Sequence, residues 1–376
     1  MAKSTADKLF DSAIYDQISL LRLSEAEKIK AAKLLRTLQR KVTSAIVTYN
    51  PALPNKTKAQ KQRLKSLYAS VTDISKNTFG EIKEQNETAL TKMASWRSDK
   101  ARKSVDDAIG VDVMSTAISP KKLTAVVQKS MVDGKLIKTW WDKQDKEFVD
   151  RFQSTINDIM RNSQTGTLAS QTLAQMVSAS SSSGALMGYT RKNVEALIRT
   201  SNASVANDIQ QETYRQNSDV ISGIKWISVL DSRTSFLCRA LDGSQWTLKG
   251  RPFPGTKMKY QTPPAHWQCR STTVPITKTY EEMLEDKPQI KKLTSGQRAS
   301  MNGPVTADLD YNDWMKAIPI EDQKDILGPG RYKLWKKGKL SMADMVHQNG
   351  NPLTIKQLTA KAAKLETAAM ATKAAK

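Results

Sequence analysis

The sequence predicts a mainly α-helical protein that also contains one small α+β module. Apolar residues recur at helical spacing through most of the 376 residues, whereas the alternation typical of strands is confined to residues 224–276. That segment also contains a stretch rich in Gly and Pro. The predicted architecture is therefore long N-terminal helices, a compact module with a few short strands, and a helical C-terminal extension.

Two long helices are expected in the first hundred residues. Ser24 followed by Glu27 forms a capping-box pattern, and apolar residues at helical spacing follow it. We therefore expect the first helix to begin at Ser24 and to end near Asn50-Pro51. The second should run from about Thr57 into the nineties.

Two further helices are expected before the middle of the chain. Ser119-Pro120 has the N-cap and first-position residues of a short helix, which should end at Asp133-Gly134. A longer amphipathic helix follows and should end at Gln164-Gly166. It carries Trp140-Trp141, which we interpret as packing residues and not as a platform on which bases stack.

The second half of the chain changes character after a Ser-rich stretch at residues 178–184, which predicts a flexible joint. One more helix, at 191–217, precedes strand-like segments at 224–230 and 271–276. The chain thus divides into five segments: a basic helical region at 1–118, a helical segment ending in the Ser-rich linker at 119–183, an α+β module at 184–277, an extension of short helices at 278–358, and an Ala- and Lys-rich tail at 359–376 that we expect to be exposed and mobile.

The charge is strongly positive and unevenly distributed. There are 59 Lys and Arg against 37 Asp and Glu, and the first hundred residues hold 19 basic and 10 acidic side chains. Such an excess predicts a polyanionic partner such as nucleic acid, an acidic protein or anionic lipid, the alternative being a chain made basic for solubility. The candidate DNA contacts, which could alternatively form a solvated face, are Lys28, Lys33, Arg36, Arg40, Lys41, Lys56, Lys58, Lys61, Arg63 and Lys65.

The cysteine count and the hydropathy pattern exclude two classes of protein. Two cysteines, Cys238 and Cys269, cannot build the disulfide scaffold of a secreted mini-domain and are typical of a reducing compartment. No uncharged apolar run approaches the ~20 residues needed to span a bilayer, and the N-terminal segment lacks the apolar core of a signal peptide. We therefore expect a soluble protein without a membrane span.

The residues that bear chemistry cluster between Trp226 and Pro275. Cys238 with His266 and Cys269 supplies three of the four ligands of a zinc site. Asp231, Asp242, a distant group or water is left for the fourth position. The alternatives are two small buried thiols packed beside a hydrogen-bonded histidine, or a disulfide.

The same segment resembles the signature of the MuF family of tailed-phage head morphogenesis proteins, also called minor head or minor capsid proteins. The family pattern is a Trp-containing strand, an Asp-x-Arg-Thr turn, a Cys, an Asp-Gly and then Pro-Pro-x-His-x-x-Cys-Arg. Similar flanking segments extend the resemblance over roughly residues 120–358. The motif core is Trp226, Asp231, Arg233, Thr234, Cys238, Asp242, Gly243, Pro264, His266, Cys269 and Arg270.

The resemblance implies a structural protein and not an enzyme. It implies recruitment to the procapsid by the portal protein, a place inside the virion head near the portal vertex, and presence in the host cytoplasm during assembly. The implied partners are the portal, the major capsid or scaffold protein, and double-stranded DNA bound without regard to sequence. The implied roles are head morphogenesis and DNA packaging or ejection.

Two departures from the family pattern bear on metal binding. Many family members carry cysteines where this chain has Ser235 and Ser271, and those cysteines would supply enough ligands for zinc. The serines favour a packed polar cluster without a cofactor, in which Asp231 pairs with Arg233 and Arg270 binds loop carbonyls or a carboxylate.

An alternative function is a zinc-dependent nuclease that uses His266 as ligand or base and acts on phage or host DNA. Metal-assisted cleavage of a phosphodiester needs an open metal site and usually a base with acidic ligands. The chain has two histidines, His266 and His347, and the sequence places no His, Asp and Glu cluster around either of them. We therefore expect a structural protein.

Overall fold

The computed structural model describes residues 5–49, 57–110, 112–162, 186–278, 297–301, 303–306, 309–337, 340–348 and 350–374. Over these ranges the chain forms nine α-helices and seven short strands, which confirms the predicted mainly α fold with a small α+β module. The predicted helix end at Gln164-Gly166, the Ser-rich joint at 178–184 and Lys56 lie outside the described residues.

The chain divides into two compact units. The basic unit comprises Leu20–Ser95 and Lys121–Val205, and the module unit comprises Met1–Ser19, Trp96–Pro120 and Ala206–Lys376. Both units are discontinuous in sequence because long helices contribute residues to each. The five segments expected from the sequence follow one another along the chain, whereas each compact unit combines stretches that are far apart in the sequence.

The two N-terminal helices are longer than predicted. Helix α1 spans Thr5–Tyr49 and helix α2 spans Lys58–Ile109, so the predicted end of the first helix and the predicted start of the second are each within about one residue of the observed ones. The predicted start of α1 at Ser24 is wrong. The Ser24 hydroxyl lies inside the helix and donates to the Leu20 carbonyl, at 2.8 Å, as serines within helices do. Its oxygen also accepts from the Asn202 side-chain amide at 3.0 Å, so Ser24 makes a buried tertiary contact and caps no helix.

Two further helices, a short hairpin between them and part of a third helix complete the basic unit. They are α3 (Pro120–Lys129), β1 (Met131–Val132), β2 (Lys135–Leu136), α4 (Ile137–Asn162) and α5 (Leu186–Gln216), the last of which continues into the module unit. Helix α3 begins where Ser119-Pro120 predicts. It ends before Asp133-Gly134, whose φ angles of 49° and 71° instead form the two-residue turn of the β1–β2 hairpin.

Aromatic side chains form part of the core of the basic unit. The ring centroids of Phe79 on α2 and Phe148 on α4 lie 6.2 Å apart. Trp141 is 1% exposed and its indole N–H donates to Asn86 Oδ1 at 3.3 Å, while Trp140 is 8% exposed and donates to the Val132 carbonyl at 2.7 Å. These contacts confirm that both tryptophans are packing residues.

The module unit is built on a three-stranded antiparallel sheet. Its strands are β3 (Ile221–Ile227), β4 (Gln245–Thr247) and β5 (Thr272–Thr277) in the order β4-β3-β5, and helix α6 (Phe236–Leu241) lies between β3 and β4 in sequence. Both predicted strands are present, shifted by three residues and by one. Gly223 is required by close packing, because a Cβ there would lie 2.3 Å from the Trp246 carbonyl oxygen.

The C-terminal extension adds a hairpin and further helices to the module unit. They are β6 (Gln297–Ser300), β7 (Gly303–Thr306), α7 (Tyr311–Ala317), α8 (Ile320–Lys336), a 3-10 turn (Met342–Met345) and α9 (Ile355–Ala374). Trp314, Trp335 and Leu358 belong to one apolar cluster that also contains Leu230 from the motif segment. Much of the predicted tail is therefore helical, and the helix that contains it, α9, is anchored in its first turn by the fully buried Leu358.

None of the helices in the described ranges carries an apolar stretch long enough to cross a membrane.

Candidate functional site

The motif residues converge where β3 ends. Trp226 is fully buried, and its indole N–H donates to Ser228 Oγ at 2.9 Å. The Ser228 backbone N–H donates to Asp242 Oδ1 at 2.7 Å, and the Gly243 N–H donates to the Trp226 carbonyl at 3.0 Å. Gly243 has a φ of 77°, a conformation that favours glycine. The Trp strand and the Asp-Gly turn are thus held together by hydrogen bonds.

Asp231 and Arg270 join the turn after β3 to the loop before β5. Arg270 donates to both carboxylate oxygens, at 2.6 and 2.7 Å, in the bidentate geometry of a strong ion pair. Burial alone would raise the pKa of Asp231, but the hydrogen bonds and charge of Arg270 hold it below its ordinary value. The Arg233 guanidinium is 82% exposed and 3.6 Å from Asp231, so Arg270 is the main partner.

Cys238, His266 and Cys269 form a compact group, which we call the thiol–imidazole cluster. Cys238 lies on α6, and the other two residues lie in the loop after Pro264. Cys238 Sγ is 3.2 Å from His266 Nε2 and 3.6 Å from Cys269 Sγ, and all three donor atoms lie within 4.8 Å of one another. Both thiols are buried and free, so no disulfide is formed.

The protonation of this cluster follows from its hydrogen bonds. The hydrogen bond from Cys238, followed by the one from His266, lowers the pKa of Cys269 to about 4. The bond to Cys269, together with burial, raises the pKa of Cys238, which keeps its proton. The bond to Cys269 also raises the pKa of His266. The contact between the two thiols therefore favours the anionic form of Cys269 and the protonated form of Cys238, beside an imidazole whose pKa is shifted toward the charged form.

The residues of the cluster fit a thiophilic divalent cation. In a tetrahedral zinc site, with Zn–S near 2.3 Å and Zn–N near 2.0 Å, neighbouring ligand atoms are about 3.5 to 3.8 Å apart. The distances of 3.2 and 3.6 Å are close to these edges. Across the described part of the chain, the group of potential ligands contains no carboxylate and no second histidine. This set of two thiols and one imidazole therefore suits zinc and differs from the acidic metal sites of many nucleases.

Arg239 is a motif-segment residue that the sequence reasoning missed. Its side chain is buried, and it donates to the Ile326 carbonyl and to the Ser232 carbonyl, both at 2.9 Å. Its guanidinium also lies 5.0 Å from the Phe236 ring centroid. Burial lowers the pKa of Arg239. The available signal was a single arginine inside the apolar string Phe236–Leu241, and the residue ties the motif turn to α8.

Apart from Lys56, the expected DNA contacts lie on α1 and α2 in the basic unit. The Lys28 side chain is only 15% exposed and forms an ion pair with Glu25 at 2.7 Å. Arg40 is exposed, and its guanidinium donates a hydrogen bond to the Thr37 hydroxyl at 3.2 Å. Seven others, which we call the cation surface, are exposed and make no ion pair within the described part of the chain. They are Lys33, Arg36, Lys41, Lys58, Lys61, Arg63 and Lys65.

Five of the seven residues of the cation surface lie close to the C-terminal end of α1 or to the N-terminal end of α2, and Lys33 and Arg36 lie further back along α1. Helix α1 ends at Tyr49 and α2 begins at Lys58. Lys41 therefore lies about 12 Å along the helix axis from the end of α1, and Lys65 about 10 Å from the start of α2. The sequence contains no Asp or Glu between Glu27 and Asp73, so these cations have no acidic neighbours along the chain.

Comparison with known proteins finds no family model, no curated protein and no solved structure that matches the chain. Two features of the chain itself therefore bear on function. One is the network of buried polar contacts around the motif, and the other is the positive surface that lacks neutralising partners.

Proposed function

We propose that this protein is a structural minor head protein of a tailed bacteriophage that binds double-stranded DNA without regard to sequence. The observation that carries the proposal is the cation surface, whose seven side chains are exposed and lack ion pairs among the described residues. Solvated helix faces normally intersperse acids with bases. An unneutralised surface of this kind is suited to the phosphates of a duplex, which carry no sequence information.

The motif supports the structural part of the proposal. Trp226 is buried in the core, Arg270 joins two loops through Asp231, and Asp242 accepts the Ser228 N–H, so each of these residues stabilises the fold. Such contacts support a role in folding and docking more than in catalysis. With the MuF resemblance, they lead us to propose that the module unit binds the portal or shell protein inside the head, after assembly in the host cytoplasm.

Salt dependence of duplex binding tests the DNA part. If about six phosphates are neutralised, the logarithm of the binding constant should fall with the logarithm of salt concentration at a slope near −5. Fluorescence anisotropy on two random duplexes at several salt concentrations measures it. Equal affinities for the two sequences are expected. An affinity that ignores salt would contradict the proposal.

A charge variant locates the binding surface. The test variant replaces Lys58, Lys61, Arg63 and Lys65 by Gln, and the matched control replaces the exposed Lys316, Lys324, Lys333 and Lys336 of the module unit. Both lose four positive charges. We expect the test variant to bind at least about tenfold more weakly with a slope shallower by about 3 to 4, and the control to change little. Equal losses in both variants would assign binding to net charge alone.

Co-purification with the portal protein of the same phage tests the docking part. Deleting residues 1–118 would be a poor test, because Leu9 and Val105 belong to the apolar core around Trp226. The four-residue α2 variant is the better one, and we expect it to retain the portal while losing DNA. Loss of both would contradict separate surfaces.

A plasmid nicking assay with and without chelator addresses the nuclease alternative, since chelator-sensitive cleavage would overturn the structural proposal.

A further inference from the structure

We propose that Cys238, His266 and Cys269 bind one zinc ion, and that Ser235 lies beside the fourth corner of the tetrahedron, which its hydroxyl leaves open to an exchangeable water. This inference concerns the module unit and does not depend on DNA binding. The proposed metal site differs from a closed structural site with four protein ligands, because a neutral serine hydroxyl is not among the ligands that zinc usually takes.

The histidine already has the orientation of a zinc ligand. His266 Nδ1 lies 2.9 Å from the Trp267 carbonyl oxygen, to which its N–H donates, so Nε2 faces the two sulfur atoms. Metal-binding histidines commonly donate their other ring N–H to a carbonyl or carboxylate in this way. The Cys269 N–H in turn donates to the His266 carbonyl at 3.2 Å, which closes the turn and brings both ligands to one side.

Ser235 is fixed beside His266 and Cys238. Its Oγ lies 2.9 Å from His266 Nε2 and accepts the Cys238 N–H at 3.2 Å as the N-cap of α6. The cap holds the hydroxyl next to the space that the ligands surround. Because a thiolate at this position would complete a four-ligand set, the serine is the feature that leaves one position open.

Both arms of the cluster are anchored independently of any metal. The α6 arm is held by Arg239, which donates to the Ile326 and Ser232 carbonyls. The loop arm is held by Arg270, the neighbour of Cys269, through its bidentate pair with Asp231. A ligand set whose supports are already in place binds a metal without a large ordering cost.

Cobalt titration of the full-length protein tests metal binding. The protein is prepared metal-free, reduced and without oxygen, then titrated with Co²⁺ and afterwards with Zn²⁺. We expect thiolate-to-cobalt charge-transfer absorption that saturates at one equivalent, and its loss when Zn²⁺ displaces the cobalt. Absence of this absorption while both thiols remain titratable would overturn the proposal. A Cys238–Cys269 disulfide as the stable form of freshly purified protein would also overturn it.

Variants at one turn test the role of Ser235. Ser235→Cys should tighten Zn²⁺ binding by at least about tenfold, and Cys269→Ser should weaken it by at least as much. Ser232→Cys is the matched control, because it adds an exposed thiol to the same turn and should leave the affinity unchanged. Since Ser235→Cys is a gain of affinity, it remains informative if Cys269→Ser fails to fold. Equal affinity of Ser235→Cys and the native protein would show that Ser235 is not beside the fourth corner.

Discussion

The two compact units differ in how far their positive charge is neutralised and in how deeply their ion pairs are buried. The basic unit holds 27 Lys and Arg against 13 Asp and Glu, and the module unit holds 32 against 24. In the module unit, Arg97 pairs with Asp16 and Arg270 with Asp231, and these side chains are 6% to 20% exposed. On the cation surface of the basic unit, charges are exposed and make no ion pair among the described residues. Buried pairs fix loops and helices, whereas unpaired cations remain available to a polyanion.

The largest effect is expected from the apolar core of the module unit. Trp226→Ala removes a fully buried indole and should lower the free energy of unfolding by about 4 kcal/mol. Denaturant unfolding followed by circular dichroism measures it. Tyr15→Ala, at a side chain that is 70% exposed, is the control and should change little. A loss below about 1 kcal/mol for Trp226→Ala would contradict the role of the motif tryptophan in folding.

The next effect should come from the buried ion pair. Arg97→Ala leaves Asp16 buried and unpaired, which should cost about 3 kcal/mol. The matched control in the basic unit is Lys83→Ala, because the Lys83–Asp142 pair is 29% and 67% exposed and should contribute less than about 1 kcal/mol. Similar losses of unfolding free energy in the two variants would contradict the expectation that the buried ion pair of the module unit contributes more than the exposed ion pair of the basic unit.

A smaller and pH-dependent effect is expected at the motif turn. Arg270→Gln removes the bidentate donor to Asp231 and should cost about 1 to 2 kcal/mol at pH 7. Because Arg270 helps to hold the folded pKa of Asp231 below its unfolded value near 3.9, the stabilisation is present above that value and lost as pH falls through the folded pKa.

Unfolding of native protein and Arg270→Gln at pH 7 and near pH 2 measures this dependence. The difference between the two proteins should shrink at the lower pH. Arg233→Gln is the control at the adjacent, exposed position and should lose less than about 0.5 kcal/mol. A difference that grows on acidification would have the wrong sign for a carboxylate of lowered pKa.

Local signals in the sequence predict the element types well and the contacts between them poorly. Periodicity and helix-end residues predict the strands, the end of α1 near Tyr49 and the start of α3 at Pro120. The start of α1 was missed because the same Ser-x-x-Glu pattern suits a cap and a buried contact, and the difference depends on Asn202, far along the chain.

The candidate site shows the same division. The sequence identifies the motif residues, but the donor that Asp231 prefers and the role of Arg239 depend on loops that meet only in the fold. Spacing likewise brings Cys238 and His266 into consideration as ligands without giving their separation. Exposure of the cation surface was predictable from helical faces, since neighbouring positions such as Leu38 and Val42 are fully buried.

The smallest expected effect is the stability of the charge variant in the basic unit. Replacing Lys58, Lys61, Arg63 and Lys65 by Gln removes exposed side chains without ion pairs among the described residues, so the free energy of unfolding should stay within about 0.5 kcal/mol of native. At low salt the variant should even gain slightly, because four like charges no longer repel one another. Denaturant midpoints at two salt concentrations measure this.

A loss above about 1 kcal/mol would mean that these cations stabilise the fold. Unchanged stability combined with weakened duplex binding would instead show that the native protein keeps this surface positive for its partner.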